Sequence, residues 1–510
     1  MAQINISDLT FAYEGSFDNI FENVSFSIDT DWKLGFIGRN GKGKTTFLNL
    51  LQGKYDYEGS ISANTYFDYF PYRVSAAEAK KTAAELMDGW KNDVEDWRVL
   101  RELPALSVEA ELLYRPFETL SFGERTKIML AVLFSGGNDF LLIDEPTNHL
   151  DADSRELIKK YLASKKSFIL VSHDRDLIDA CVDHVLVLNR ASIVVQAGNF
   201  STWWENKEKA DNFARMENEK HAKEIGKLKS AADRTARWAE KSEGAKIGFD
   251  PVKENDRNIS TRSYIGAKTK KMQSRVKNYG VRIEREIAEK EGLLKDIEEP
   301  DDLKLMPLEH YKKQLVHIVD LSLRYKDGTK DVFKDLKFDI AQGERVFISG
   351  ENGCGKSSLI HVLLEKTGAD NECISERVDT NGIFEVAPNM IVSYISQDTS
   401  HLKGSLKEYA ATNGLDYSIL LALLRKLDFE RVQFEKNMED YSEGQKKKVL
   451  IAGSLITPAH LYVWDEPLNY IDVFSRMQIE KLILQYSPTM LIVEHDVRFR
   501  EKIATKTIEL

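Results

Sequence analysis

The chain carries the same four motifs twice, in the same order, which restricts it to a fold of two like modules. "GRNGKGKTT" begins at Gly38 and "GENGCGKSS" at Gly350, an offset of 312. "LSFGE" places Ser121 where "YSEGQ" places Ser442, an offset of 321. "FLLIDEPTNHLD" and "LYVWDEPLNYID" put Asp144 and Asp465 at the same 321, and "VSHD" and "VEHD" put His173 and His495 322 apart. The expected organisation is a first module over 1–204, an unduplicated insert over 205–306 and a second module over 307–510.

Within each module, short β-rich apolar runs such as "KLGFIG", "FLLID", "SFILVS" and "VLVLN" alternate with helical stretches. That alternation predicts α/β modules with parallel sheets. The insert reads differently. From Trp203 to about Ala239 it is polar, Lys/Glu/Ala-rich and nearly free of Gly and Pro. Beyond Met272, Val276, Tyr279, Ile283, Ile287, Leu294 and Ile297 recur at helical spacing. Two long helices around a turn predict an antiparallel α-helical hairpin.

The repeated GxxxxGK[ST] is a phosphate-binding loop. Its glycines let backbone N–H groups curl round phosphates, a lysine meets the β- and γ-phosphates, and the next hydroxyl can hold Mg²⁺. In the first copy this involves Gly38, Asn40, Gly41, Gly43, Lys44, Thr45 and Thr46; in the second, Gly350, Asn352, Gly353, Gly355, Lys356, Ser357 and Ser358. Each apolar run ending in Asp-Glu supplies a metal-binding carboxylate, Asp144 or Asp465. The next residue, Glu145 or Glu466, is the candidate base that polarises the attacking water. His173 and His495 are candidates to contact the γ-phosphate.

These motifs resemble the ATP-binding-cassette (ABC) superfamily, over about 400 of the 510 residues. The resemblance implies two cassettes closing head to tail over two ATPs with Mg²⁺. One site joins the 38–46 loop, Asp144, Glu145 and His173 to the signature residues Ser442, Gly444 and Gln445. The other joins the 350–358 loop, Asp465, Glu466 and His495 to Ser121 and Gly123. It also implies that Tyr13 and Tyr325, offset by 312, stack on adenine, and that Gln397 of "YISQD" serves the metal. The first cassette departs from the pattern. "YFPYR" has Tyr72 where Gln is usual, and Phe122 and Glu124 stand in the signature where Gly and Gln are common. Unequal sites are expected.

Cassettes normally power membrane domains, yet no apolar run approaches the roughly 18 residues a span needs. No secretory signal is visible at the N-terminus. Cys181, Cys354 and Cys373 form no CxxC pair, which fits a reducing cytosol. The insert offers another task. Although the chain is acidic, with net charge −11, residues 257–282 hold eight basic side chains and no acidic one. Two cassettes joined by such a hairpin, with "AGNFSTWWENKEK" leading into it, resemble the ABC-F family.

That resemblance implies a cytoplasmic, ribosome-bound ATPase. It would act as a monomer, use no DNA, and push its linker through the E site toward the P-site tRNA and peptidyl-transferase centre. Lys246, Phe249, Arg257, Arg262, Lys268, Lys270, Lys271, Arg275 and Lys277 are the candidate RNA contacts, cations for phosphates and an aromatic for bases. The long loop near 242–263 resembles the tip of Lsa-type resistance proteins, which protect ribosomes against lincosamides, pleuromutilins and streptogramin A. No Arm-like insertion in the first cassette and no C-terminal extension are expected. Two alternatives stand beside this reading: a housekeeping factor that rescues stalled ribosomes, and the ATPase subunit of an exporter with separate membrane subunits. SMC-type and ABC-E proteins fit less well, because the hairpin is short and no cysteine cluster is present.

Overall fold

A computed structural model describes residues 3–13, 19–91, 95–137, 139–148, 150–188, 192–244, 305–326, 331–369, 374–427 and 429–510, with 270, 274, 277, 280–283 and 285 singly. One compact unit comprises Met1–Trp203 and Pro300–Leu510; a second comprises Trp204–Glu299.

Both modules are α/β, as their alternating pattern predicts. In the first, strands run in the order Tyr66–Phe70, Asp139–Asp144, Phe168–Val171, Lys33–Ile37, His184–Leu188 and Ile193–Ala197. All neighbours pair parallel except the last two. In the second, Val392–Ile395, Leu461–Asp465, Met490–Val493, Arg345–Ser349 and Lys506–Glu509 make a fully parallel sheet. Phe168–Val171 and Leu461–Asp465 are buried at every residue, as strands of covered parallel sheets must be. Each cassette adds a three-stranded antiparallel sheet. Asp8 and Asp320 both take φ 52° there, and Gly59 and Gly382 close on them. A Cβ on either glycine would lie within 2.5 Å of that aspartate's carbonyl oxygen, so only glycine fits. The repeat therefore extends to matching irregularities.

Parallel order puts the functional loops at one edge. The phosphate-binding loop follows Lys33–Ile37 or Arg345–Ser349, and the Asp-Glu pair ends a nearby strand of the same sheet. Ligands of open α/β sheets bind at these carboxyl ends.

The first insert helix spans Phe200–Gly244, 45 residues, longer at both ends than the sequence suggested. At 1.5 Å per residue it is about 68 Å long. Lys270 and Lys277 are helical and exposed, and Ile283 is helical and buried. Lys246, Phe249, Arg257, Arg262, Lys268, Lys271 and Arg275 lie outside the described residues, as do the proposed tip loop and most of the second apolar stripe.

Candidate active sites

Each phosphate-binding loop ends on a glycine that starts a helix, Gly43 before Lys44–Leu51 and Gly355 before Lys356–Thr367, with φ 104° and 101°. Gly41 and Gly353 also take positive φ, and a Cβ on either would meet nothing within 4 Å. Their backbone faces open space beside a helix N-terminus, an arrangement that suits phosphate. Lys44 Nζ donates to the Gly38 carbonyl at 2.6 Å and to Asn40 Oδ1 at 3.2 Å. Lys356 Nζ donates to the carbonyls of Gly350 and Glu351, both at 2.8 Å. Tyr13 and Tyr325 hydrogen-bond Thr46 Oγ1 and Ser358 Oγ at 2.8 and 2.7 Å. Both rings remain 42% exposed, available for stacking on a base.

Thr45 Oγ1 donates to Asp144 Oδ2 at 2.8 Å, and Ser357 Oγ to Asp465 Oδ2 at 3.1 Å. This all-oxygen pairing fits a hard divalent cation carried with the nucleotide, which would polarise the phosphates. Glu145 and Glu466 follow, at φ 52° and 45°. A left-handed glutamate costs on the order of 1–3 kcal/mol, and strain recurring at both candidate bases points to a catalytic constraint. Glu145 Oε1 lies 3.1 Å from His173 Nε2, and Glu466 Oε1 lies 3.5 Å from His495 Nε2. Neither Glu145 Oε1 nor His495 Nε2 completes a well-directed hydrogen bond, which leaves buried polar capacity for water or phosphate.

The two sites differ at the base. Gln397 and Asn469 both donate to Glu466 Oε2, at 2.8 and 2.7 Å. At the first site Tyr72, in the Gln397 position, turns away. It donates to Asp68 at 2.8 Å and stacks on Trp90. Burial, and then the charge of Asp144, push Glu145 up to about 8. Burial would also raise Glu466, but nearby His495, Lys447 and Lys356 outweigh it and hold that carboxyl below its ordinary value. The protonated form is therefore favoured at Glu145 and disfavoured at Glu466. A divalent cation held by Asp144, nearer to Glu145 than the phosphates, favours the charged form of Glu145, so loading with Mg-ATP should release protons from the first site at pH 7. Calorimetry in buffers of differing ionisation enthalpy measures this. The release should vanish in Glu145→Gln and persist in Glu466→Gln.

The signature serines cap their helices. Ser121 pairs with Glu124 and Ser442 with Gln445 in reciprocal capping boxes. The signature therefore starts a helix, and the Gln445 side chain bonds back to Ser442 N at 3.0 Å.

The cassettes meet head to tail. Asn40 Nδ2 donates to the Tyr470 carbonyl at 2.6 Å, across the cassette boundary. A Cβ on Gly444 would fall 2.6 Å from that carbonyl and 3.5 Å from Asn40 Nδ2. The second signature thus lies over the first phosphate-binding loop, and Lys42 pairs with Glu430 beside it at 2.9 Å. Arg175 and Glu480 form a buried ion pair between the cassettes. Arg498 pairs with Asp176 and with Asp179, the latter at 2.7 Å.

Sequence reasoning missed Tyr470, Asn469, the ion pairs and Tyr69. For Asn469 a signal existed, since Asn148 and Asn469 stand three residues after each candidate base.

The ABC transporter domain family matches residues 21–148 and again 333–469. The ribosome protection protein VmlR of Bacillus subtilis is 27% identical over 496 residues, 96% of this chain and 84% of that protein. The energy-dependent translational throttle protein EttA of Haemophilus influenzae is 25% identical, over 96% of this chain and 89% of its own. The solved archaeal ribosome recycling factor aABCE1, in complex with stalk protein aP1, matches with a TM-score of 0.60 at 18% identity. It covers 98% of this chain and 87% of that one, a likeness of fold. No described helix is long and apolar enough to cross a membrane.

Proposed function

Because the chain belongs to the ABC transporter family, as a tandem-cassette ATP hydrolase of the ABC-F type, we propose that it spends ATP on the ribosome. In this reading closure over two Mg-ATP brings the protein onto the E site, with its linker directed toward the P-site tRNA and peptidyl-transferase centre. Hydrolysis then opens the cassettes and releases it. The finer reading is target protection, which frees ribosomes from lincosamides, pleuromutilins and streptogramin A. The observation that carries it is the likeness to a ribosome protection protein over 96% of the chain. The likeness to EttA favours a second reading, a translation factor acting on stalled ribosomes.

The tip separates the two. Shortening 247–255 should leave ribosome cosedimentation and ATPase activity intact, because the cassettes are untouched, while drug protection of expressing cells falls. Equal protection by the shortened protein would favour the translation-factor reading. Charge reversal at Lys268, Lys270 and Lys271 should instead weaken ribosome binding, lowering the salt slope by about 1 for each phosphate no longer neutralised. No cosedimentation by the intact protein would overturn both readings.

A further inference from the structure

One polar contact at the first site falls on a residue the motifs did not single out, the tyrosine that opens "YFPYR" and whose counterpart in "YISQD" is Tyr394. Tyr69 sits on the strand Tyr66–Phe70, in register with Leu142 on the strand that delivers Asp144. Its hydroxyl donates to Asp144 Oδ2 at 3.0 Å, the same oxygen that accepts from Thr45 Oγ1. The ring is held in turn, half-buried, with Lys54 Nζ 5.1 Å from its centroid. Three residues on, Tyr72 is committed to Asp68 and Trp90 and supplies nothing to the site. At the second site the amide of Gln397 supports the base Glu466 rather than the metal-binding carboxylate.

We propose that Tyr69 is a positioning residue of the first site, whose phenol fixes the Asp144 carboxylate for the metal. The chemistry is that of an outer-sphere donor. A carboxylate held by two hydroxyl donors loses little freedom on binding a cation, and the free lone pairs of Asp144 stay directed at it. Removing such a donor typically weakens metal affinity about 10–100-fold.

Manganese(II) with a non-hydrolysable ATP analogue, titrated by electron paramagnetic resonance on the full chain, reads this without turnover and without ribosomes. Ribosome binding can fail independently of the outcome. In a Lys356→Ala background, which leaves the first site, Tyr69→Phe should raise the manganese Kd about tenfold. Binding of a fluorescent ATP analogue in EDTA should stay within about twofold of the parent. In the reciprocal Lys44→Ala background, Tyr69→Phe should leave manganese affinity unchanged. An unchanged Kd in the first background, or the same loss in both, overturns the proposal. A thermal melt matching that of each parent confirms that the comparison is between folded proteins.

Discussion

Glutamine at both Glu145 and Glu466 is expected to cut steady-state ATP turnover by about 10²- to 10⁴-fold, the usual worth of a general base, with ATP binding and closure intact. The substitution keeps shape and length, so the left-handed backbone at both positions is no more strained than before. At the second site the new amide can present its oxygen to Gln397 and Asn469, which both donate to Glu466 Oε2. The doubly substituted protein should accumulate on ribosomes, because opening follows hydrolysis. Phosphate release and ribosome pelleting measure the two effects, and turnover near the unsubstituted rate would remove both residues from the mechanism. The single variants should be unequal. Glu466→Gln should remove the larger share, since that base is held by two amides, whereas Glu145 lacks a Q-loop partner.

Arg175→Ala should be the most damaging single change outside the sites. Its guanidinium bonds the Glu480 carboxylate across the cassette boundary, and both side chains are buried there, 3% and 4% exposed. Losing one partner of a buried pair strands the other charge, at a cost of about 3–5 kcal/mol. Lys502 also reaches Glu480, at 3.2 Å, so the lower end applies. In opened cassettes each group can hydrate separately, so the loss falls on closing rather than on folding. About 3 kcal/mol lowers the ratio of closed to open molecules on the order of a hundredfold, and the closed fraction falls with it. Fluorescence transfer between labelled cassettes, with ATP in the Glu→Gln double background, reads that fraction. Arg175→Met with Glu480→Leu should recover most of it, because two apolar groups leave no unpaired charge. A closed fraction unmoved by Arg175→Ala would show that the pair does not hold the cassettes together.

The two cassettes were legible in the chain before any fold was known, and so were the carboxylates and signature residues that are the candidates for each site. These are local chemistry. A loop that wraps phosphate needs glycines and a lysine at set spacing, and a covered parallel strand needs an unbroken apolar run before its terminal Asp-Glu. Because both copies obey the same constraints, the offsets of 312 and 321 exposed them without any structure. The helical character of the insert's first part was legible in its polar, Gly- and Pro-poor run, although that helix begins at Phe200 and runs to Gly244. How the copies became unequal is settled only in three dimensions. Tyr72 was visible as an oddity, but whether it entered the site depended on Asp68 and Trp90, which compete for its hydroxyl and ring. Tyr69 opens "YFPYR", but only strand register against Leu142 brings its phenol to Asp144. Asn40 with Tyr470, and Arg175 with Glu480, are separated by 430 and 305 residues. Such pairings depend on how two folded surfaces dock, and the free energy of docking belongs to both surfaces together, so no local spacing encodes it.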